Sequence, residues 1–92
     1  MYNIRFSNTY NKSIKKLIKS KKVKLEDVNV VVNLIANHKL LPIKYRDHKL
    51  QGEYDKYREC HIKPDILLIY QIIKGELVLV LINIGTHNDL FG

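Results

Sequence analysis

Three of the four histidines, His48, His61 and His87, stand among groups that could share protons or charge with them. His48 follows Arg46 and Asp47, and His61 lies between Glu59 and Asp65 with Arg58 and Lys63 close by. His87 comes four residues before Phe91. Histidine gains and loses a proton near neutral pH, so two or more imidazoles at one surface can serve as general acid and general base. His38 lies in a polar stretch at the end of a helical pattern and reads as a solvated side chain. His48, His61, His87 and Asp65 also have the chemistry of metal ligands. None of them falls in a tight ligand spacing such as CxxC or HExxH, so no metal site is expected. A Cys60–His61 nucleophile pair fails on geometry, because neighbours in a strand point to opposite faces. No glycine-rich phosphate loop and no nucleophile elbow is present.

The segment that must position these groups is Tyr57–Tyr70, YRECHIKPDILLIY. It reads as two antiparallel strands joined at Lys63-Pro64-Asp65, where proline presets the turn and aspartate tolerates it. With Pro64 and Asp65 as loop residues, Ile62 pairs with Leu67, His61 with Leu68, Cys60 with Ile69 and Glu59 with Tyr70. Alternation then gives an apolar core face of Cys60, Ile62, Leu67 and Ile69. Tyr57, Glu59, His61, Leu68 and Tyr70 would form the working face. A turn at Lys74-Gly75 and a further strand over Leu77–Ile84 would set Tyr70 against Leu79 and Ile69 against Val80. Gly85 breaks that strand, and Thr86–Gly92 reads as a tail.

Upstream, Tyr2–Phe6 alternates like a short strand, and Ser7 or Asn8 can cap a helix over about residues 8–20. Tyr10, Ile14, Leu17 and Ile18 recur at helical spacing with lysines opposite them. Ser20–Lys24 breaks the pattern. A second helix starts near Leu25, with Glu26 and Asp27 where the helix dipole favours acids and Leu25, Val28, Val32 and Ile35 as the buried stripe. Pro42 ends the helical region. A loop and a short strand near His48–Gln51 follow. The order is α+β: a single domain, residues 1–92, with two N-terminal helices packed on one face of a small, mainly antiparallel sheet.

Charge is unevenly spread over the 92 residues. Residues 1–42 hold nine Lys or Arg against Glu26 and Asp27, whereas residues 43–92 are balanced, so the whole net charge of +7 is one N-terminal block. Lysines such as Lys15, Lys16, Lys19 and Lys22 form either a solvated helix face or a surface that meets a polyanion. No apolar run approaches the roughly 20 residues of a membrane span. MYNIRFSNTY lacks the apolar core of a signal peptide, so a cytoplasmic protein is expected. Cys60 is the only cysteine, which excludes an internal disulfide.

Three segments, YRDHKLQG at 45–52, YRECHIKPDILLIY at 57–70 and GTHNDLF at 85–91, resemble the YafQ branch of the RelE/ParE toxin superfamily in order and spacing. The resemblance implies a RelE-like fold and the toxin half of a type II toxin–antitoxin pair. It further implies a ribosome-dependent endoribonuclease that cuts messenger RNA in the A site. In that reaction a ribose 2′-OH attacks the adjacent phosphate and leaves a 2′,3′-cyclic phosphate, with no cofactor. Carried over by motif, the active-site residues are His48, His61, Asp65, His87 and Phe91. His48 and His87 are the expected proton-transfer pair, with Asp65 orienting an imidazole and Phe91 stacking on a base. The implied partners are a RelB/DinJ-type antitoxin and the 70S ribosome, and operator DNA is met only through the antitoxin complex. Lys15, Lys16, Lys19 and Lys22 are expected on ribosomal RNA. Two positions depart from the family pattern. Asn83 stands where an arginine is frequent and Ile66 where a tryptophan is frequent. Asparagine cannot clamp a phosphate as arginine does, which leaves Arg46, Arg58 or Lys63 for that task. A competing expectation follows from Asn83: a relative that binds an antitoxin and another target without cutting RNA. The three retained histidines argue for the nuclease.

Overall fold

The computed structural model describes residues Met1–Gly92. Its elements in order are β1 (Asn3–Phe6), α1 (Asn8–Lys19), α2 (Leu25–Ala36), β2 (His48–Lys49), β3 (Arg58–Lys63), β4 (Ile66–Ile73), β5 (Val78–Gly85) and α3 (His87–Phe91). Short 3-10 turns lie at Ile43–Tyr45, Gly52–Tyr54 and Lys74–Glu76. The five strands form one sheet in the order β1-β5-β4-β3-β2, antiparallel except that β1 runs parallel to β5. This is the expected α+β architecture.

Ser7 starts α1: its hydroxyl accepts from the Tyr10 N–H at 2.9 Å and donates to the Ile82 carbonyl of β5 at 2.6 Å. One side chain thus caps the helix and fastens it to the sheet, leaving few of the helix's first N–H groups unpaired. Tyr10, Ile14 and Leu17 of α1 and Val28, Val31, Val32, Ile35 and Ala36 of α2 are buried. They close on Cys60, Ile62, Ile66, Leu68, Tyr70, Leu79, Leu81 and Ile84 from one face of the sheet. Two expected stripe members fall outside it. Ile18 is exposed, and Leu25, at the first turn of α2, is half exposed while Val31 takes its place.

The hairpin turn is as expected, with Lys63 opposite Ile66, but a bulge between His61 and Lys63 slips the rest by one residue. His61 therefore pairs with Leu67, Cys60 with Leu68, Glu59 with Ile69 and Arg58 with Tyr70. A one-residue slip exchanges the faces of the partner strand. Leu68 and Tyr70 thus belong to the helix-packed core, not the working face, and Leu67 and Ile69 are buried outside that core. The β4–β5 register also differs. The chain turns through Lys74–Glu76 and a left-handed Leu77 (φ 53°), so Tyr70 meets Leu81 and Ile69 meets Asn83. Those extra turn residues, plus a second bulge at Ile69/Tyr70, account for the shift. The strand near His48 is two residues long, and the C-terminal tail is a short helix.

Candidate active site

Glu59 is the one buried charged residue in the protein, 6% exposed, on the sheet face opposite the helices. His61 lies two residues along the same strand, and so on the same face. His48 is paired directly opposite Glu59 across the β2–β3 ladder. One carboxylate oxygen, Glu59 Oε1, lies 3.6 Å from His48 Nε2 and 3.7 Å from His61 Nε2.

The other ring nitrogen of each histidine faces a backbone carbonyl. His48 Nδ1 is 2.7 Å from the Arg46 oxygen, and His61 Nδ1 is 3.2 Å from the Pro64 oxygen. A carbonyl only accepts, so Nδ1 carries the hydrogen in both rings and Nε2 is the atom that gains or loses a proton. Both working nitrogens then look at the same carboxylate, and a proton on either completes an ion pair with it. Local backbone supports this arrangement. Arg46 adopts a left-handed conformation (φ 48°), which bends the chain so that its carbonyl meets the ring two residues on. Pro64 presents its carbonyl to His61 from the hairpin turn.

The loop that carries His48 is anchored from the core side. Asp47 accepts from Arg58 Nη2 at 2.7 Å and from the Tyr70 hydroxyl, and Arg58 Nε donates to that hydroxyl at 3.3 Å. The Asp47 carboxylate raises the Arg58 guanidinium above its ordinary value, and burial raises the Tyr70 phenol. Arg58, a candidate phosphate ligand from sequence, is thus held in a structural ion pair. Burial likewise pushes the Cys60 thiol up to about 12, which makes it an inert core group.

His87 opens α3, held by a reciprocal cap. The Asp89 N–H donates to the Thr86 hydroxyl at 3.1 Å, and the Thr86 N–H donates to Asp89 Oδ2 at 3.0 Å. That bond holds the Asp89 carboxyl below its ordinary value. A Cβ on Gly85 would come within 3.0 Å of Asp89 Cβ, so glycine lets the cap fold back on the end of β5. The His87 ring packs on Phe91 at 5.0 Å, and Tyr54 meets Phe91 edge-on at 5.8 Å.

Of the five sequence candidates, His48 and His61 converge on one carboxylate, and His87 and Phe91 form an aromatic pair. Asp65 is exposed in the hairpin turn, and the two imidazoles are oriented by the Arg46 and Pro64 carbonyls in its stead. Arg46 is exposed and Lys63 half-buried, while Lys15, Lys16, Lys19 and Lys22 are exposed on and just after α1. Asn83 is engaged: its Oδ1 accepts from the Ser13 hydroxyl of α1 at 2.7 Å and from the Ile84 N–H at 2.9 Å. Glu59 was not among the sequence candidates. Its signal was the i, i+2 spacing from His61, which put it on the working face without showing that two histidines would share it.

A family model for the bacterial toxin of type II toxin–antitoxin systems, YafQ, matches residues 2–92. The chain belongs to the YafQ family. The mRNA interferase toxin YafQ of Escherichia coli K12 is 36% identical over 90 residues, 97% of this chain and 95% of that protein. A metal-bound toxin from Helicobacter pylori superposes with a TM-score of 0.93 at 42% identity, covering 99% of this chain and 100% of its own. YafQ in the E. coli DinJ–YafQ complex gives 0.86 at 31% identity, with 100% of both chains covered. The YafQ-family likeness therefore extends over the helices and the sheet alike. No helix is long and apolar enough to cross a membrane.

Proposed function

We propose that this YafQ-family toxin is an endoribonuclease that acts on messenger RNA in the ribosomal A site, and that it is cytoplasmic. The observation that carries the proposal is the convergence of His48 Nε2 and His61 Nε2 on Glu59 Oε1, with both Nδ1 atoms fixed on carbonyls. Attack of the ribose 2′-OH on the adjacent phosphate needs a base for that hydroxyl and an acid for the departing 5′-oxygen. His48, whose side chain is 50% exposed, and the exposed His87 meet the substrate and form the proton-transfer pair. His61, 17% exposed, acts with Glu59 beside His48, keeping positive charge available where the phosphorane gains negative charge. Phe91, supported by Tyr54, offers a ring face for a base. Arg46 and Lys63 serve the phosphate, and Lys15, Lys16, Lys19 and Lys22 serve ribosomal RNA.

The antitoxin partner follows from the E. coli relative, which was solved in complex with DinJ. We infer an acidic antitoxin of that kind here, because the N-terminal half of the chain carries the whole positive excess. The H. pylori relative is metal-bound, whereas no three His, Cys, Asp or Glu side chains here are arranged to hold a metal ion. The proposed reaction is proton transfer between imidazoles, a chemistry that asks for no ion. Primer extension on a translated message after brief induction tests the function. Discrete A-site cuts ending in a 2′,3′-cyclic phosphate, and insensitive to chelator, are expected. Growth arrest with intact message would leave a toxin that binds without cutting. Cleavage lost to EDTA and restored by zinc would replace the proton scheme with a metal site.

A further inference from the structure

One cleft of the molecule adjoins this machinery and shares His61 and Lys63 with it. Strand β2 covers only Arg58 and Glu59, so the edge of β3 beyond Glu59 has no strand beside it. Between that edge, α2 and the 3-10 turn at Ile43–Tyr45 lies a cavity of about 420 Å3. Its walls include His61 and Lys63 from the bulged end of β3, Lys44 and Tyr45 from the turn, and Asp27 from α2. His61 is therefore shared. Its Nε2 faces Glu59, and its ring forms a wall of the cleft.

Beside the apolar Val30, Ile62 and Pro64, the lining has three chemistries. Two ammonium groups outnumber one carboxylate, so the cleft is net positive. The Tyr45 ring is half-buried and packs against the hydrophobic core, which fixes it in place. Lys44 Nζ sits over that ring, 5.1 Å from its centre, so a base reaches the face once this exposed lysine turns out to a phosphate. Asp27 can only accept, from a ribose hydroxyl or a base amine. A phosphate, a base and a hydroxyl or amine are the parts of one nucleotide, and the volume lies within the usual range for ligand clefts. We infer that this cleft is a nucleotide subsite, holding the residue of the RNA strand next to the cleaved phosphodiester. Lys44 and Lys63 take its phosphate, Tyr45 stacks on its base, and Asp27 accepts from its ribose or base. The inference rests on the ribonuclease reading, because the shared His61 is what makes the cleft continuous with the reacting phosphate. An acidic protein segment would use the lysines but would have no use for a fixed ring beside them.

The test uses the full-length protein on translating ribosomes, with cleavage rate measured against toxin concentration. For Lys44→Gln combined with Lys63→Gln, the half-saturating concentration should rise about tenfold, and by more than the maximal rate falls. The log–log salt slope should drop by about 0.7 for each lysine, as for single-stranded contacts. Tyr45→Leu keeps an apolar group against the core and should also raise the half-saturating concentration, whereas Tyr45→Phe should restore it. A message with 4-thiouridine beside a 2′-deoxy cleavage position should crosslink on irradiation to the peptide containing Tyr45. Unchanged half-saturation and salt slope in the lysine pair would overturn the subsite, as would crosslinks mapping only to other peptides. Lost antitoxin affinity with normal cleavage would also overturn it and make the cleft a protein-docking surface. Absence of cleavage by the wild-type protein on the same ribosomes would overturn the ribonuclease reading itself, a result independent of the lysine variants.

Discussion

Glu59→Gln removes a negative charge with almost no change of shape, so it isolates the electrostatic part of the proposed chemistry. The carboxylate lies 3.6 Å from His48 Nε2. Two unit charges at that distance attract by about 1 kcal/mol with the screening of bulk water and about 4–5 kcal/mol at an effective dielectric constant near 20. The Glu59 side chain is 8% exposed and that of His48 50%, so the pair lies between those limits. A working value of about 2 kcal/mol corresponds to a rate loss of about thirtyfold. We expect Glu59→Gln to reduce single-turnover cleavage on programmed ribosomes by about that factor. Antitoxin and ribosome affinity should stay as in wild type. Glu59→Asp withdraws the carboxylate by one methylene and should give an intermediate loss. A Glu59→Gln protein that cuts at the wild-type rate would refute the argument that this carboxylate supports the chemistry of His48 and His61.

Four further outcomes follow from the same structure. His87→Ala should lower cleavage at least about a hundredfold while leaving antitoxin and ribosome binding intact, as measured by co-purification and sedimentation. Tyr70→Phe strips the hydroxyl that joins Asp47 to Arg58 and should cost about 1–2 kcal/mol in denaturant titration, with some loss of cleavage because Asp47 precedes His48. Burial raises Cys60 from 9.0 to about 12 and Tyr10 from 10.0 to about 12, so stability that rests on keeping them neutral is complete below pH 9. It is lost as pH climbs toward 12, and the melting temperature should fall over that window while a thiol reagent at pH 8 labels only unfolded protein. Alanine at Lys15, Lys16, Lys19 and Lys22 should weaken ribosome binding and flatten its salt dependence, and an unchanged slope would assign those lysines elsewhere.

The helices could be read in advance because each is built on local signals, a Ser7 cap and an acidic first turn, with a 3.6-residue apolar repeat. The turn at Pro64-Asp65 was legible for the same reason. Strand faces were not. Both β4 pairings are displaced by bulges, and nearly every residue of β4 is apolar, so its sequence does not say which side is inward. The site was half legible. His48, His61 and His87 stood out by type and Phe91 by the family motif, but the shared carboxylate of Glu59 depends on cross-strand register, a long-range property. The tautomers depend on the Arg46 and Pro64 carbonyls, which no side-chain pattern encodes. The capped α3 was missed because a helix of five residues is too short for periodicity to show.

The parallel pairing of β1 with β5 joins residues 3–6 to residues 78–81, the two ends of the chain. β5 also takes the Ser7 bond and packs on α1 while pairing with β4, so β1 and α1 have no place on the sheet until it is there. During synthesis that strand emerges last, and such distant contacts cannot form on a shorter chain. Chains ending before residue 78 should be as sensitive to protease as unfolded protein, and protection in them would contradict this. For a protein whose proposed target is the ribosome, the topology works as a delay: no copy is able to fold until residues 78–85 have left the ribosome that makes it.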